Sequence, residues 1–81
     1  MAELSDLERE ILAFERDWWR LSTAKDQAAR DRFGLDRGDY YRTLSQLIDS
    51  DEALELDPLL VRRLRRLRAT RRRARAARRT S

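Results

Sequence analysis

Eighty-one residues, 42% of them charged and none cysteine or histidine, describe one small domain, with a core limited to about fifty-five residues and worth only a few kcal/mol net. No disulfide or thiolate site is available, and structural zinc is excluded because carboxylates alone favour harder metals. The formal net charge of +4 is very unevenly spread: residues 1–57 carry eight basic and fifteen acidic side chains, whereas residues 58–81 carry eleven arginines and no acid.

Ser5-Asp6-Leu7-Glu8 has the form of a capping box, in which Ser5 and Glu8 satisfy each other's backbone amides. From there Leu4, Leu7, Ile11, Phe14, Trp18 and Leu21 recur at steps of three and four, the apolar stripe of a helix of about seventeen residues. Leu12 and Trp19 form a shorter stripe beside it. Trp18 is expected in the core, and Trp19 covers either the last helix or a partner. Glu8, Glu15 and Asp17 are expected on the solvated face.

Ser22-Thr23 offers a second cap, followed by a short helix over Ala24–Phe33 with Ala28, Ala29 and Phe33 inward. Gly34 stops it, being free to take positive φ. Leu35 is an apolar plug and Asp36 the next cap. A third helix is predicted over Arg37–Ile48, with Tyr40, Leu44 and Leu47 on its inner arc, flanked by Tyr41 and Ile48. Asp49-Ser50-Asp51-Glu52 opens a short helical turn ending at Leu56. Asp57-Pro58 is a cap followed by proline at the first helical position, and Leu60, Leu64 and Leu67 form the final stripe. Beyond Leu67 the chain is helix-prone but coreless. The fold expected is therefore an all-α, four-helix domain over residues 1–68 with a basic tail, helical or disordered, over 69–81.

Residues 24–44 have the spacing of a helix-turn-helix. Small residues on its first helix allow close crossing, Gly34 makes the turn, Leu35 plugs it, and Tyr40 and Leu44, six and ten places after the glycine, anchor the second helix. Arg30 departs from the small residue often found at its position, and a plain helical bundle with a short turn is the alternative.

The stretches Glu10-Ile11-Leu12-Ala13-Phe14-Glu15, Trp18-Trp19, Arg32-Phe33-Gly34-Leu35, Tyr40-Tyr41 and Asp57 through Arg68 resemble an uncharacterised family of small actinobacterial helix-turn-helix proteins, a domain of unknown function, over nearly the whole chain. That resemblance implies DNA binding without an assigned target. An acidic first helix ahead of such a motif is also loosely similar to the promoter-reading domain of sigma factors.

If the third helix enters the major groove, its outward face holds Arg37, Gly38, Arg42, Ser45 and Asp49, with Tyr41 at the margin. Arg37 and Arg42 suit bidentate contact with guanine, Ser45 a base or phosphate, and Tyr41 a phosphate or thymine methyl. Asp39 steers Arg42. Either arginine alone is equally well read as a solvated surface cation.

In the tail, Arg62, Arg63, Arg65, Arg66, Arg68, Arg71, Arg72, Arg73, Arg75, Arg78 and Arg79 surround any helix they form, and their repulsion is expected to leave the end disordered until a polyanion neutralises it. Guanidinium grips phosphate in a fork, so these eleven are candidate phosphate contacts supplying affinity through counterion release. Folding back onto the acidic body, or binding an acidic protein, is the alternative.

The expected partner is duplex DNA, bound by a transcriptional regulator or nucleoid-associated factor, and a homodimer is one way for a short recognition helix to gain specificity. A module docking on RNA polymerase or another transcription protein through the acidic first helix or Trp19 is the rival reading, and RNA or ribosome binding a third. No catalytic pair, phosphate-cradling glycine loop or metal-ligand spacing is present, so neither an enzyme nor a cofactor is expected. No apolar run approaches the roughly 18 residues of a membrane span, and Met1–Ala13 is acidic, unlike a signal peptide. A cytoplasmic, nucleoid location is expected.

Overall fold

The computed structural model of the chain describes residues 3–18 and 22–80, with side chains through Arg78. Trp19, Leu21 and the Arg79 side chain, each singled out above, lie outside the described residues. Five helices follow one another: α1 (Asp6–Asp17), α2 (Thr23–Phe33), α3 (Arg37–Ile48), α4 (Asp51–Leu56) and α5 (Pro58–Thr80). The turn expected after Asp49 is a helix in its own right, which makes five where four were expected.

Local chemistry sets nearly every boundary. The Ser5–Glu8 capping box closes in both directions, at 2.8 and 3.1 Å. Ser22 accepts from the Lys25 amide, Asp36 from Asp39 and Ser50 from Ala53, caps each worth about 1 kcal/mol. Gly34 ends α2 at φ 69°, its amide donating to the Arg30 carbonyl at 2.8 Å. A Cβ built there meets nothing within 4 Å, so what requires glycine is the left-handed backbone rather than crowding.

The core draws Ile11, Leu12 and Phe14 from α1, Ala29 from α2, Tyr40, Leu44, Leu47 and Ile48 from α3, Ala53 from α4, and Leu60, Val61 and Leu64 from α5. Phe14 is its aromatic centre, edge-on to Phe33 and Tyr40 at 5.5 and 5.8 Å between ring centroids. Leu12, expected on a side stripe, is fully buried because α1 is packed on two flanks. Val61 is buried too, outside the expected stripe.

Two expectations for α1 fail. The helix has twelve residues, not about seventeen, and ends at Asp17. Trp18 is the C-cap at φ −125°, ψ 48°. Its ring has therefore left the helical register: it stacks on Phe14 at 6.0 Å but remains 39% exposed instead of entering the core. Leu7, the second residue of the helix, is 43% exposed.

The tail is helical. α5 runs through Thr80 and crosses the expected 68/69 boundary without a break. Apart from Thr70, residues 69–78 are all arginine or alanine, both strong helix formers, and arginines near a helix C-terminus meet the negative end of its dipole. Those gains offset the mutual repulsion expected to unravel it. Twenty-three helical residues rise about 35 Å, which gives the molecule its longest extent of 44 Å. Among the described residues, no helix is long and apolar enough to cross a membrane.

Candidate nucleic-acid interface

The deepest polar feature was expected at the surface. Glu15 is 1% exposed, and so is Lys25, the only lysine of the chain. Lys25 Nζ lies 2.8 Å from both carboxylate oxygens of Glu15, and Tyr40 Oη donates to Oε2 at 2.6 Å. One carboxylate thus ties α1 to α2 and α3. Burial, then the Glu15 charge, raises the Tyr40 phenol far above the ordinary tyrosine value. Lys25 also stands 5.6 Å from the centroid of the Tyr41 ring, a cation–π contact.

This cluster fixes the rotation of α3, and α5 then packs along it. Arg65 Nε donates to the Ile48 carbonyl at 2.6 Å. Arg68 Nη1 donates to the Ser45 carbonyl at 3.0 Å and to Ser45 Oγ at 2.9 Å, while its Nη2 reaches Asp49 Oδ1 at 2.6 Å. The last carbonyls of a helix lack partners within it, and α5 supplies guanidiniums to two of them. The hydrogen bond from Arg68, together with its charge, holds Asp49 below the ordinary carboxylate range. One turn further, Arg71 acts electrostatically on Tyr41. The pairs Ile48–Arg65, Ser45–Arg68 and Tyr41–Arg71 therefore step along the two helices in opposite directions.

Between α3 and the outer half of α5 lies an open groove of about 550 Å³. Tyr41, Leu44, Ile48 and Leu64 supply apolar surface, Arg37 and Gly38 flank it from α3, and Arg68, Arg71, Arg72, Arg75 and Arg78 line it from α5. Positions 68, 71, 72 and 75 follow the i, i+3, i+4, i+7 rule of one helix face. Arg62, Arg66 and Arg73 fall on the opposite face, at i, i+4 and i+11. Nine of the eleven arginines are thus sorted, and two of them, Arg65 and Arg68, are engaged with the end of α3.

The expected reading residues divide in the same way. Arg37, Tyr41 and Ser45 come together around the groove, whereas Arg42 projects elsewhere, its Nη1 held at 3.0 Å by Asp39 as expected. Arg37 is exposed, with its Nε 3.8 Å from Asp26. Ser45, expected to face outward, is half-buried beneath Arg68. Tyr41 is also half-buried, and its hydroxyl, shut off from solvent, has no hydrogen-bond partner among the described residues. Burial pushes that phenol up to about 12, helped by the charges of Glu15 and Asp26 and opposed by Arg71 and Arg37. Helical periodicity missed Glu15 and Lys25. The one available signal was the solitary lysine in a chain with eighteen arginines, since a fixed point charge in a small cavity suits an ammonium better than a guanidinium.

The described residues thus form an all-helical domain with an arginine-lined groove along α3. The chain belongs to the family described as protein of unknown function (DUF3263), whose model matches residues 3–76. No curated protein and no solved structure shows a match to it.

Proposed function

We propose that this chain is a DNA-binding protein, with α2 and α3 acting as a helix-turn-helix and α5 as the phosphate-gripping element. The observation that carries the reading is the segregation of charge: −7 over residues 1–57 against +11 over 58–81, with the positive end drawn out along one rigid helix. The acids of α1 and α4 are kept from the duplex, and the arginines of α5 meet phosphates together with Arg37 and Arg42 at the first half of α3. A charge dipole of this kind also orients the protein as it approaches DNA. Arg37 and Arg42, both exposed, are the side chains that read base edges. Tyr41 and Ser45, half-buried in the groove, take no part in that reading, and a transcriptional role follows from sequence reading by the two arginines.

Removing Thr70–Ser81 deletes six arginines and none of the buried core residues. At about 0.9 per phosphate released, the slope of log affinity against log salt becomes shallower by up to about five for every duplex tested. An unchanged slope refutes the role given to α5.

A second reading is favoured by a separate surface. Leu4 and Leu56 share a shallow cleft with Glu3, Asp51, Glu52 and Glu55 and with one cation, Arg9, and Leu56 and Leu59 are 53% and 76% exposed. Apolar side chains rimmed by acids suit a protein partner with a basic, apolar face, such as RNA polymerase or another transcription protein. Retention of a partner after nuclease treatment, abolished by Leu56→Ser, distinguishes this surface from the arginine helix.

A further inference from the structure

We infer that the groove between α3 and α5 holds a single strand of nucleic acid, its phosphates along Arg71, Arg72 and Arg75 and a base against the apolar floor at Tyr41 and Leu44. Four observations carry this. The volume of about 550 Å³ falls within the range of clefts that enclose a small molecule; a duplex straddles such a groove, whereas one strand enters it. The cations form a row, not a cluster: from Arg68 to Arg78 α5 rises about 15 Å, which suits successive phosphates on a strand better than the bunched phosphates of a free nucleotide. A basic wall beside an aromatic and apolar floor is the arrangement by which single strands are held without sequence preference. Finally, the Tyr41 hydroxyl, a groove-lining residue's only polar side-chain atom, is buried without a partner among the described residues. Buried polar atoms are seldom left so, and a phosphate or base oxygen supplies its acceptor once neighbouring side chains part.

The acids around the groove do not cancel this character. Glu15 is neutralised by Lys25, Asp49 is held by Arg68, and Asp26 faces Arg37.

Helix geometry provides the test, since α5 carries arginines on two opposite faces. In the full chain, Arg72→Gln with Arg75→Gln alters the groove face, and Arg62→Gln with Arg66→Gln alters the other; all four side chains are exposed, and both variants lose the same charge. Binding of a short labelled single strand, made once as DNA and once as RNA, is measured by fluorescence anisotropy at about 0.15 M salt, where loose surface attraction is screened. A duplex of the same sequence is measured alongside. The groove-face variant is expected to lose about tenfold in affinity for the single strand, the value of a charge-assisted contact or two, and the outer-face variant about two- to threefold. Equal losses on the single strand overturn the inference, as does displacement of the strand by a nucleoside triphosphate at equal phosphate concentration. The inference goes beyond the duplex reading and fails separately: duplex binding with equal losses leaves that reading standing, whereas absence of binding to any nucleic acid removes both.

Discussion

Replacing Lys25 by methionine keeps the length and most of the volume of the side chain while removing its charge. Glu15 is then left 1% exposed with a single remaining donor among the described residues, the Tyr40 hydroxyl. Breaking a buried ion pair by removing one partner costs about 3–5 kcal/mol, because the surviving charge is stranded in a poorly polarisable interior. A domain of 81 residues has a total stability of about 4–12 kcal/mol, so the variant is expected to stand at the edge of folding. Urea unfolding followed by helical circular dichroism reads the difference directly. Adding Glu15→Leu and Tyr40→Phe removes the stranded groups together, and replacement of a whole buried ionic cluster by apolar side chains is often neutral or stabilising. The triple variant is therefore expected to recover most of the lost stability. A loss below about 1 kcal/mol for Lys25→Met alone refutes the reasoning, since that is the behaviour of a solvated surface pair.

The chain has only two tyrosines, and both phenols are raised, Tyr41 to about 12 and Tyr40 beyond it. Their contribution to stability is complete below the unfolded value near 10 and is lost as pH rises towards 12; phenolate absorbance and loss of helix are expected to rise together in that window, and ionisation near pH 10 with the helices intact refutes the burial argument. Arg68→Ala removes the contacts to Ser45 and Asp49 and should speed amide exchange over residues 69–78, with a stability loss of about 1 kcal/mol because Asp49 is exposed and screened. Asp49 is lowered, so its share is present above the ordinary carboxylate value and fades as pH falls through the depressed one; unchanged exchange over 69–78 argues against Arg68 as the link between α5 and α3.

Much of the architecture is legible in the sequence because it is written in local chemistry. The span Arg37–Ile48 of α3 and the start of α5 at Pro58 match the structure, as do the caps at Ser5 and Asp36 and the left-handed Gly34. Helical periodicity assigns faces by hydrophobicity alone, and this is where it fails. Glu15 and Lys25 are charged, so no apolar stripe includes them; their burial depends on finding each other across two helices, ten residues apart. Trp18 fails for the opposite reason, since its apolar ring fits the stripe but its backbone has already left the helix. The groove is less legible still. Arginines at 68, 71, 72 and 75 look like one undivided charge run until α5 is placed against α3, and only then do they face Tyr41 and Ser45 while Arg62, Arg66 and Arg73 turn away.

The position of Lys25 bears on how the molecule can be modified. Eighteen of its nineteen basic side chains are guanidinium groups, and the one side-chain amine is sealed beneath the aromatic core, 1% exposed. Acetylation or conjugation at lysine therefore finds no side-chain target on the folded surface, and the charge of α5 is beyond the reach of enzymes that tune other cationic proteins by acylating amines. Reagents that label lysine turn this into a sensor: reaction at Lys25 requires the domain to open, and its rate reports how often it does.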